Sequence, residues 1–415
     1  MEILVKNEDK KFLPVLLGTD ANAYGMAKSF HKAYGIKSLS LGVMNLMETA
    51  NSKIVTVDAE PGFDRQENFA KKMEEVGKTY GQYYEKLLLI ACGDHYTELI
   101  VNNRELLEKY FVFAYISREM KEQLENKEDF YKICEKYGLD YPKTYIITKE
   151  NYSQHHDLPF GFPVAVKASD SIEYVELSFE GKKKGYKADT YEEFEKIVNM
   201  IYAAGYNGNL IVQDFIPGDD ATMWVLNSYS GLDGKVRAMC LGHCVLEDYT
   251  PAGIGNYNAI IQHGDMAVYE RYRDFLEEIG YVGFSNFDMK YDERDGKFKV
   301  FEINIRQGRS SYFTTASGCN IAKILAEDVI EGKPLQEIHY HDNPFLWLHV
   351  PEKLVMEYTP GEVKDEVKSL IDAGKYDFTL KYDKDGGLFR KLRVNRYYKM
   401  AFDKYSKYFN KRGLE

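Results

Sequence analysis

Features of secreted and membrane proteins are scarce in this sequence. No run approaches the ~18 apolar residues of a membrane-spanning helix, and the opening residues, MEILVKNEDKKF, lack the apolar core of a signal peptide. The five cysteines are odd in number and scattered along the chain, which is typical of reduced thiols and not of a disulfide framework. We therefore expect a cytoplasmic protein.

Several common catalytic signatures are also missing. The chain has no GxxxxGK[ST] phosphate loop, no GxGxxG, no HExxH and no GxSxG. Cys240 and Cys244 flank His243, but no second ligand pair follows at zinc spacing, so a strand is favoured there over a metal site. The net charge of -11 argues against bulk attraction to nucleic acid or anionic lipid, although local clusters can still bind phosphate.

The composition is that of a globular protein with more than one domain. Of the 415 residues, 44% are hydrophobic and 29% are charged, which allows a large buried core. Short apolar runs alternate with helix-period stretches at the N-terminal end and predict a parallel βαβ sheet with strands at residues 12–17, 53–57, 86–92 and 111–115. Asp20 and Asp94 follow two of these strands, where parallel sheets bind ligands, although both could simply cap helices.

The middle of the chain has mixed periodicity. Residues 117–137 read as helical, and a polar loop at 169–187 interrupts a small α+β unit. A strand-rich region follows. The other predicted elements are strands at 144–147, 163–168 and 210–215, helices at 191–203, 266–278 and 321–330, and a hairpin at 284–305.

The hairpin carries acids on a sheet that should be buried, and buried carboxylates are costly unless paired or metal-bound. A three-residue loop at 294–296, with glycine in the left-handed position, would place Asp288 opposite Glu302 and Asn304 on the same face. Three hard oxygen donors are typical of a magnesium site. A two-residue turn would instead separate the acids, and salt bridges to lysines remain the alternative.

Cationic residues accompany these acids. Arg306 continues the same face and Arg309 follows, which suits an oxygen whose negative charge grows during a reaction. A structural salt bridge is the alternative interpretation. Lys167 is the single charge on an apolar strand and fits a nucleotide phosphate. The alternative is that its ammonium simply reaches solvent, since lysines often end strands. The run GKKKG, which contains Lys183 and Lys184, resembles a basic lid, although such runs are usually solvated loops.

A third segment, residues 211–220, is a strand that runs into a Pro-Gly turn. Its backbone from Gln213 to Ile216, through Asp214 and Phe215, could read an adenine edge, and an acid such as Asp219 could accept ribose hydroxyls. An ordinary hinge is the alternative interpretation.

In this order and spacing, the segments resemble the ATP-grasp superfamily over residues 116–333. The expected fold class is α/β and α+β: an N-terminal βαβ domain (1–115), an ATP-grasp domain (116–333) with a lid subdomain at about 160–215, and a C-terminal extension (334–415). The resemblance implies ATP and two Mg²⁺ ions. It assigns the phosphates to Lys127 and Lys167, the base and ribose to residues 213–216 with Asp219 or Asp220, the metal to Asp288, Glu302 and Asn304, and the transition-state arginine to Arg306.

A closer likeness is to the bacterial D-aspartate ligases of peptidoglycan synthesis, through PVLLGTD, LLLIACGD, QDFIPGDD, IGNY, FDMKYD and FEINIRQGRSS. It implies that the β-carboxylate of D-aspartate becomes an acyl phosphate, which the ε-amine of a precursor lysine then attacks. Arg309 and Ser310 would assist Arg306. Asp20, Asp94 and Glu247 are candidate substrate contacts or bases. D-Alanine–D-alanine ligases usually carry an arginine where this chain has Asn286.

Two alternatives remain open: an ATP-grasp ligase for another amino acid and amine, and an ATP-binding regulator without catalysis. Residues 390–412 hold nine Lys/Arg and a single acid, Asp403. A solvated helix is the simplest interpretation of this stretch. The other is a surface for a polyanionic acceptor, nucleotide- or lipid-linked, or for peripheral membrane contact.

Overall fold

The computed structural model describes residues 5–7, 11–169, 171–250 and 253–411. Within those ranges no helix is both long enough and apolar enough to cross a membrane. Three sheets organise the chain, and the predicted fold class, a parallel N-terminal sheet followed by an ATP-grasp-like unit, is confirmed.

The first sheet is parallel, with strand order β3-β2-β1-β4. Its elements are β1 (Phe12–Leu17), α1 (Ala21–Tyr34), β2 (Ser38–Gly42), β3 (Val55–Ala59), α2 (Gln66–Tyr80), β4 (Lys86–Ala91), α3 (Asp94–Asn102) and α4 (Arg104–Leu107).

Three predictions for this sheet need correction. The sequence analysis missed β2, because its serines and glycine give a weak apolar signal. The strand predicted at 53–57 runs from 55 to 59. Residues 111–115 do not form a strand, and the structure shows only an isolated bridge from Val112 to Leu88, because their apolar side chains pack into the core without a continuous ladder.

The second sheet is antiparallel, with order β5-β8-β6-β7, and α8 packs against it. Its elements and the preceding helices are α5 (Arg118–Glu125), α6 (Lys127–Tyr137), β5 (Thr144–Ile147), β6 (Val164–Ala168), α7 (Ser171–Glu176), β7 (Tyr186–Ala188), α8 (Tyr191–Ala203) and β8 (Leu210–Asp214). The predicted loop at 169–187 is wrong in part, because it contains α7 and the start of β7. Residue 170 lies outside the described residues.

The third and largest sheet has the order β13-β12-β9-β10-β11-β15-β16, and β14 pairs with β10. Its first part comprises β9 (Met223–Ser230), β10 (Val236–Glu247), β11 (Tyr257–Gln262), α9 (Met266–Glu278), β12 (Gly283–Asp292), β13 (Lys297–Asn304), α10 (Tyr312–Ser317) and α11 (Ile321–Val329). An apolar cluster that includes Phe287, Met289 and Tyr272 joins the sheet to α9.

The C-terminal segment completes this sheet. Its elements are β14 (His339–His341), β15 (Leu346–Leu348), α12 (Glu352–Tyr358), α13 (Gly361–Asp372), β16 (Tyr376–Phe378) and α14 (Leu388–Tyr408). The domain boundaries at 115/116 and 333/334 stay a prediction. The interpretation of residues 390–412 as a solvated helix is correct for the helix but not for full solvation. One face of α14 buries Arg390, Val394 and Tyr398 against the rest of the protein.

A buried lysine connects the first sheet to the C-terminal segment. Lys28 on α1 is only 1% exposed. Its ammonium lies 3.2 Å from Oδ1 of Asp377 on β16 and donates hydrogen bonds to the carbonyl oxygens of Phe378 and Lys381. The first and last parts of the chain therefore share an internal ion pair.

Candidate functional site

The β12–β13 hairpin places the predicted metal ligands together. Asp288 lies directly opposite Glu302, and Asn304 is opposite Asn286. The loop, however, has four residues, 293–296, and not the predicted three. A β-bulge at Phe301 absorbs the extra residue and restores the predicted pairing. Gly296 adopts φ +70°, as the loop prediction required.

The carboxyl group of Asp288 accepts hydrogen bonds from neutral donors. Its Oδ2 accepts a hydrogen bond from Nδ2 of Asn304 at 3.0 Å, and its Oδ1 accepts one from the hydroxyl of Tyr257 at 3.4 Å. Burial, and then the charge of Glu302, raise the pKa of Asp288 to about 7. Two facing carboxyl groups beside an amide form an all-oxygen donor set that fits a hard divalent cation.

Lysines surround this acidic pair. Lys127, the first residue of α6, lies 3.8 Å from Glu302, and Nζ of Lys167 sits 5.1 Å from the centre of the Phe301 ring. The pKa of Lys167 is lowered to about 8, first by burial and then by Lys127, with Lys184 and Lys290 contributing. A group of cations that repel one another, as these do, is suited to bind a polyanion such as a triphosphate.

The loop that carries Lys183 and Lys184 is anchored through its backbone. The amide of Lys183 donates to the hydroxyl of Tyr186 at 2.9 Å, and its carbonyl oxygen accepts from the hydroxyl of Tyr174 at 2.8 Å. Tyr174 belongs to α7, the helix that the sequence analysis did not predict. The predicted lid therefore contains regular structure.

The segment predicted to read the nucleotide base leaves β8 and crosses towards the large sheet. Gln213 is buried and donates to the hydroxyl of Thr144, while Ile216 is 4% exposed. Phe215 lies between two lysine ammonium groups, with Nζ of Lys187 at 5.3 Å and Nζ of Lys290 at 5.6 Å from its ring centre.

Asp214, within this segment, and Asp219, just after it, differ in how fully their carboxylates are hydrogen-bonded. Both carboxylate oxygens of Asp214 accept hydrogen bonds from Arg294, at 3.1 and 2.9 Å. Asp219 is exposed, and its Oδ1 accepts a hydrogen bond from the amide of Ala221. Asp219 is therefore better placed than Asp214 to meet a ribose.

Arg306 joins the large sheet to the first sheet. Its Nε lies 2.7 Å from Oδ1 of Asp94, and its Nη2 donates to Oδ2 at 2.8 Å. Asp94 begins α3, at the carboxyl end of β4. The structure thus brings together two residues that are 212 positions apart and that the sequence could not place relative to each other.

Asp20 and Arg309 belong to the same region. The carboxylate of Asp20 caps α1 by accepting from the amides of Asn22 and Ala23, as its alternative interpretation held. Burial raises the pKa of Asp20, and the nearby charges of Arg309 and Arg306 oppose that rise. One side chain can serve as both a cap and a substrate contact. Ser310 is 5% exposed beside them.

The sequence analysis missed residues from the C-terminal segment. Nη2 of Arg309 lies 3.1 Å from Nε2 of His349, and that nitrogen lies 2.9 Å from the hydroxyl of Tyr397 on α14. No sequence pattern singled out these two residues. Tyr257 was easier to find, because it ends the IGNY motif that carried the family resemblance.

The backbone of Glu247, a candidate base, belongs to a buried hydrogen-bond network. Its amide donates to Oδ2 of Asp220, which also accepts from the hydroxyl of Tyr249 at 2.7 Å. The carbonyl oxygen of Glu247 accepts from Tyr405 on α14. Asp220 therefore has a structural role.

A groove of about 730 Å³ runs along α14. It lies between the 47–51 segment and one face of α14, which also contributes Tyr397 to the Arg309 contacts. The lining residues are Met47, Asn51, Phe389, Leu392, Arg393, Arg396, Tyr397 and Met400.

Comparisons with known proteins can be set beside this geometry. No family model matches the sequence. The chain is 45% identical over 412 residues to a D-aspartate ligase of Enterococcus faecium (strain Aus0004), covering 97% of this chain and 98% of that protein.

Two solved structures share the fold at low sequence identity. The ADP complex of an N5-carboxyaminoimidazole ribonucleotide synthetase gives a TM-score of 0.58 at 12% identity and covers 89% of this chain and 88% of that one. The biotin carboxylase domain of the Hydrogenobacter thermophilus 2-oxoglutarate carboxylase, in complex with MgADP and bicarbonate, gives 0.57 at 16%, covering 80% and 72%.

Proposed function

Because the chain belongs to the D-aspartate ligase family and has the ATP-grasp fold, we propose that it joins the β-carboxylate of D-aspartate to the ε-amine of a lysine in a peptidoglycan precursor. A carboxylate oxygen of the amino acid attacks the γ-phosphorus of ATP and ADP departs. The amine nitrogen then attacks the acyl carbon, phosphate leaves, and the nitrogen loses a proton. An amide remains.

One observation carries this proposal: the acids Asp288 and Glu302 face each other within reach of Lys127, Lys167 and Arg306. Asp288, Glu302 and Asn304 would hold magnesium, and we propose two ions. When bound, magnesium neutralises phosphate oxygens and makes the γ-phosphorus more electrophilic.

The lysines bind and orient the nucleotide. Lys127 and Lys167 approach from α6 and β6, on one side of the acids, and Lys183 and Lys184 close over the phosphates from the lid. A lid that excludes water protects an acyl phosphate from hydrolysis. The backbone from Gln213 to Ile216 would contact the base, with Asp219 accepting the ribose hydroxyls.

Arg306 and Arg309 serve the amino acid. Arg306 donates to the oxygen of the acyl group as its negative charge develops, with Asp94 setting the orientation of the guanidinium. Arg309 pairs with the second carboxylate of aspartate, and Ser310 and Asp20 line the same pocket. We assign the ammonium group of the amino acid to Asp20, the acid that approaches both arginines.

The groove beside α14 suits the bulky acceptor. Tyr397 lines the groove and also contacts His349, which lies against Arg309, so the groove leads to the amino acid pocket. Arg393 and Arg396 could bind the diphosphate that nucleotide-linked and lipid-linked precursors share. Changing both to alanine should raise KM for a diphosphate-linked precursor and leave KM for the free peptide unchanged. Equal effects on both acceptors would contradict this placement.

The start of α14 is also suited to peripheral membrane contact. Leu388 and Phe389 are 71% and 73% exposed and lie beside basic residues. An apolar and basic surface binds anionic lipid headgroups. Cosedimentation with vesicles containing phosphatidylglycerol, but not with phosphatidylcholine alone, is expected. A double change to Leu388→Ser and Phe389→Ser should abolish it, and binding that persists would exclude this surface.

Phosphate release tests the reaction itself. ATP and Mg²⁺ are supplied with D-Asp, L-Asp, D-Ala or D-Glu, with and without a lysine-containing muramyl pentapeptide. Release that requires D-Asp and the peptide is expected. Release with another amino acid would change the substrate, and silence across the panel would favour a non-catalytic protein. Lys127→Ala should lose activity, whereas Lys132→Ala, an exposed lysine on the same helix, should retain it.

A further inference from the structure

A second group of metal-ligating side chains lies away from the ATP site. His243 is on β10, His263 follows the end of β11, and Glu366 is on α13. One nitrogen or oxygen atom from each of the three lies within 4.8 Å of the atoms from the other two. The three ligands therefore come from separate elements that meet at one place.

This group is on the opposite face of the large sheet from Asp288. His243 pairs with Trp224 across the β10–β9 ladder, and Trp224 pairs with Met289 on β12. Because neighbouring residues of a strand point to opposite faces, Met289 and its partners face away from Asp288. The group is thus distinct from the proposed magnesium site.

The imidazole of His243 is already oriented. Its ring stacks on Trp224 at a centroid distance of 4.3 Å and an interplanar angle of 10°. Its Nε2 lies 2.5 Å from the carbonyl oxygen of Ala221. A carbonyl oxygen only accepts, so Nε2 carries the hydrogen and Nδ1 keeps its lone pair. Histidine ligands of metals usually donate their other ring N–H to such an oxygen.

His263 and Glu366 supply the open side. Nε2 of His263 lies 2.9 Å from Oε1 of Glu366, and the two side chains are 29% and 39% exposed. A metal ion can reach them from solvent, and water can complete the coordination. Tetrahedral ligands at bond lengths near 2.1 Å lie about 3.4 Å apart. Side-chain rotations must therefore bring the more distant atoms up to about 1.4 Å closer and move the Glu366 oxygen about 0.5 Å away from His263.

We propose that His243, His263 and Glu366 bind one zinc ion, with water as the fourth ligand. Two imidazoles and one carboxylate favour Zn²⁺ over Mg²⁺, which prefers oxygen ligands alone. Because Glu366 comes from α13, His243 from β10 and His263 from the residue after β11, the ion would attach the C-terminal segment to the sheet that carries Asp288 on its other face. The role is structural and independent of the ligase reaction.

Cobalt substitution tests the site. The metal-free, full-length protein is titrated with Co²⁺ in excess Mg²⁺ and ADP, which occupy the ATP site, and visible absorption is followed. Co²⁺ in a four- or five-coordinate site with two imidazole ligands absorbs strongly at visible wavelengths. One equivalent of Zn²⁺ should abolish this absorption band. Glu366→Gln should weaken Co²⁺ and Zn²⁺ binding at least about tenfold and remove the rise in Tm that Zn²⁺ gives the parent protein.

Glu362→Gln is the matched control, because it changes an exposed acid one turn earlier on α13 and should bind both metals like the parent. His263→Asn provides a second variant at the solvent-facing side and should also lose binding. Absence of a strong band in the parent protein, or unchanged Zn²⁺ affinity in both Glu366→Gln and His263→Asn, would overturn the proposal and leave an ordinary histidine–glutamate ion pair.

Discussion

The two ends of the β12–β13 hairpin carry aspartates in opposite circumstances, one buried and one half-buried. Near the loop, Asp292 is 1% exposed and accepts from Arg294 at 2.9 and 2.8 Å and from Lys299 at 2.7 Å. Hydrogen bonds from Arg294 lower its pKa, despite burial. At the other end, Asp288 accepts from a neutral amide and a neutral hydroxyl and faces Glu302, and its pKa is raised.

The difference separates a structural acid from a functional one. The charge of Asp292 is satisfied within the chain, by an Arg294 that also pairs with Asp214. The charge of Asp288 is not, so the folded protein is left with a site that a cation would stabilise. Charge alone does not distinguish the two residues, whereas the identity of their hydrogen-bond donors does.

The largest expected effect is on catalysis at the unsatisfied end. Asp288→Asn should lower kcat on the order of 10³-fold, because several kcal/mol of metal-dependent stabilisation is lost. The free energy of unfolding should not fall, because the repulsion from Glu302 also disappears. Steady-state phosphate release and chemical denaturation measure the two effects. A variant that is inactive because it unfolds would contradict the distinction between Asp288 as a functional acid and Asp292 as a structural one.

Arg306→Ala should lower kcat by about 10²- to 10³-fold, as loss of one donor to a developing oxyanion does. Asp94→Asn, which leaves the guanidinium in place but weakens its anchor, should have a smaller effect. Rates measured at saturating substrates separate the two variants. Equal losses would mean that Asp94 itself contacts substrate.

At the satisfied end, Asp292→Asn should cost about 2 kcal/mol of unfolding free energy, less than a fully buried pair, because Arg294 keeps Asp214 and Lys299 keeps Asp295. The kcat of the folded fraction should stay within about twofold of the parent, since the mechanism does not use this residue. Urea denaturation gives the first value. A large loss of kcat in folded protein would show that the hairpin ends are coupled.

Per pH unit, the smallest expected effect is a pH dependence of stability. Without Mg²⁺, the folded protein keeps a proton on Asp288 up to about pH 7, whereas the reference pKa of this carboxyl is 3.8. The unfolding free energy should therefore fall as the pH rises between these two values, by at most about 1.4 kcal/mol per pH unit. The difference between the parent and Asp288→Asn isolates this slope. A difference that does not vary with pH would contradict the raised pKa.

Local alternation in the sequence predicted that Asp288, Glu302 and Asn304 lie together, and the pairing of Asp288 with Glu302 is correct although the predicted loop is one residue too short. A bulge can compensate for a loop length, and neither follows from the residue pattern alone. The Asp94–Arg306 and Arg309–His349 contacts were beyond prediction, because they depend on how separate sheets pack. The contacts that α13 and α14 make with the rest of the protein were not predicted, for the same reason.

The ion pair between Lys28 and Asp377 bears on how the chain is made. A ribosome releases α1 long before it reaches Asp377, which is 349 residues further along. Until then the ammonium of Lys28 has no carboxylate from β16, and an unpaired buried charge costs several kcal/mol. The N-terminal sheet, although synthesised first, therefore reaches its final packing only after the last strand has emerged.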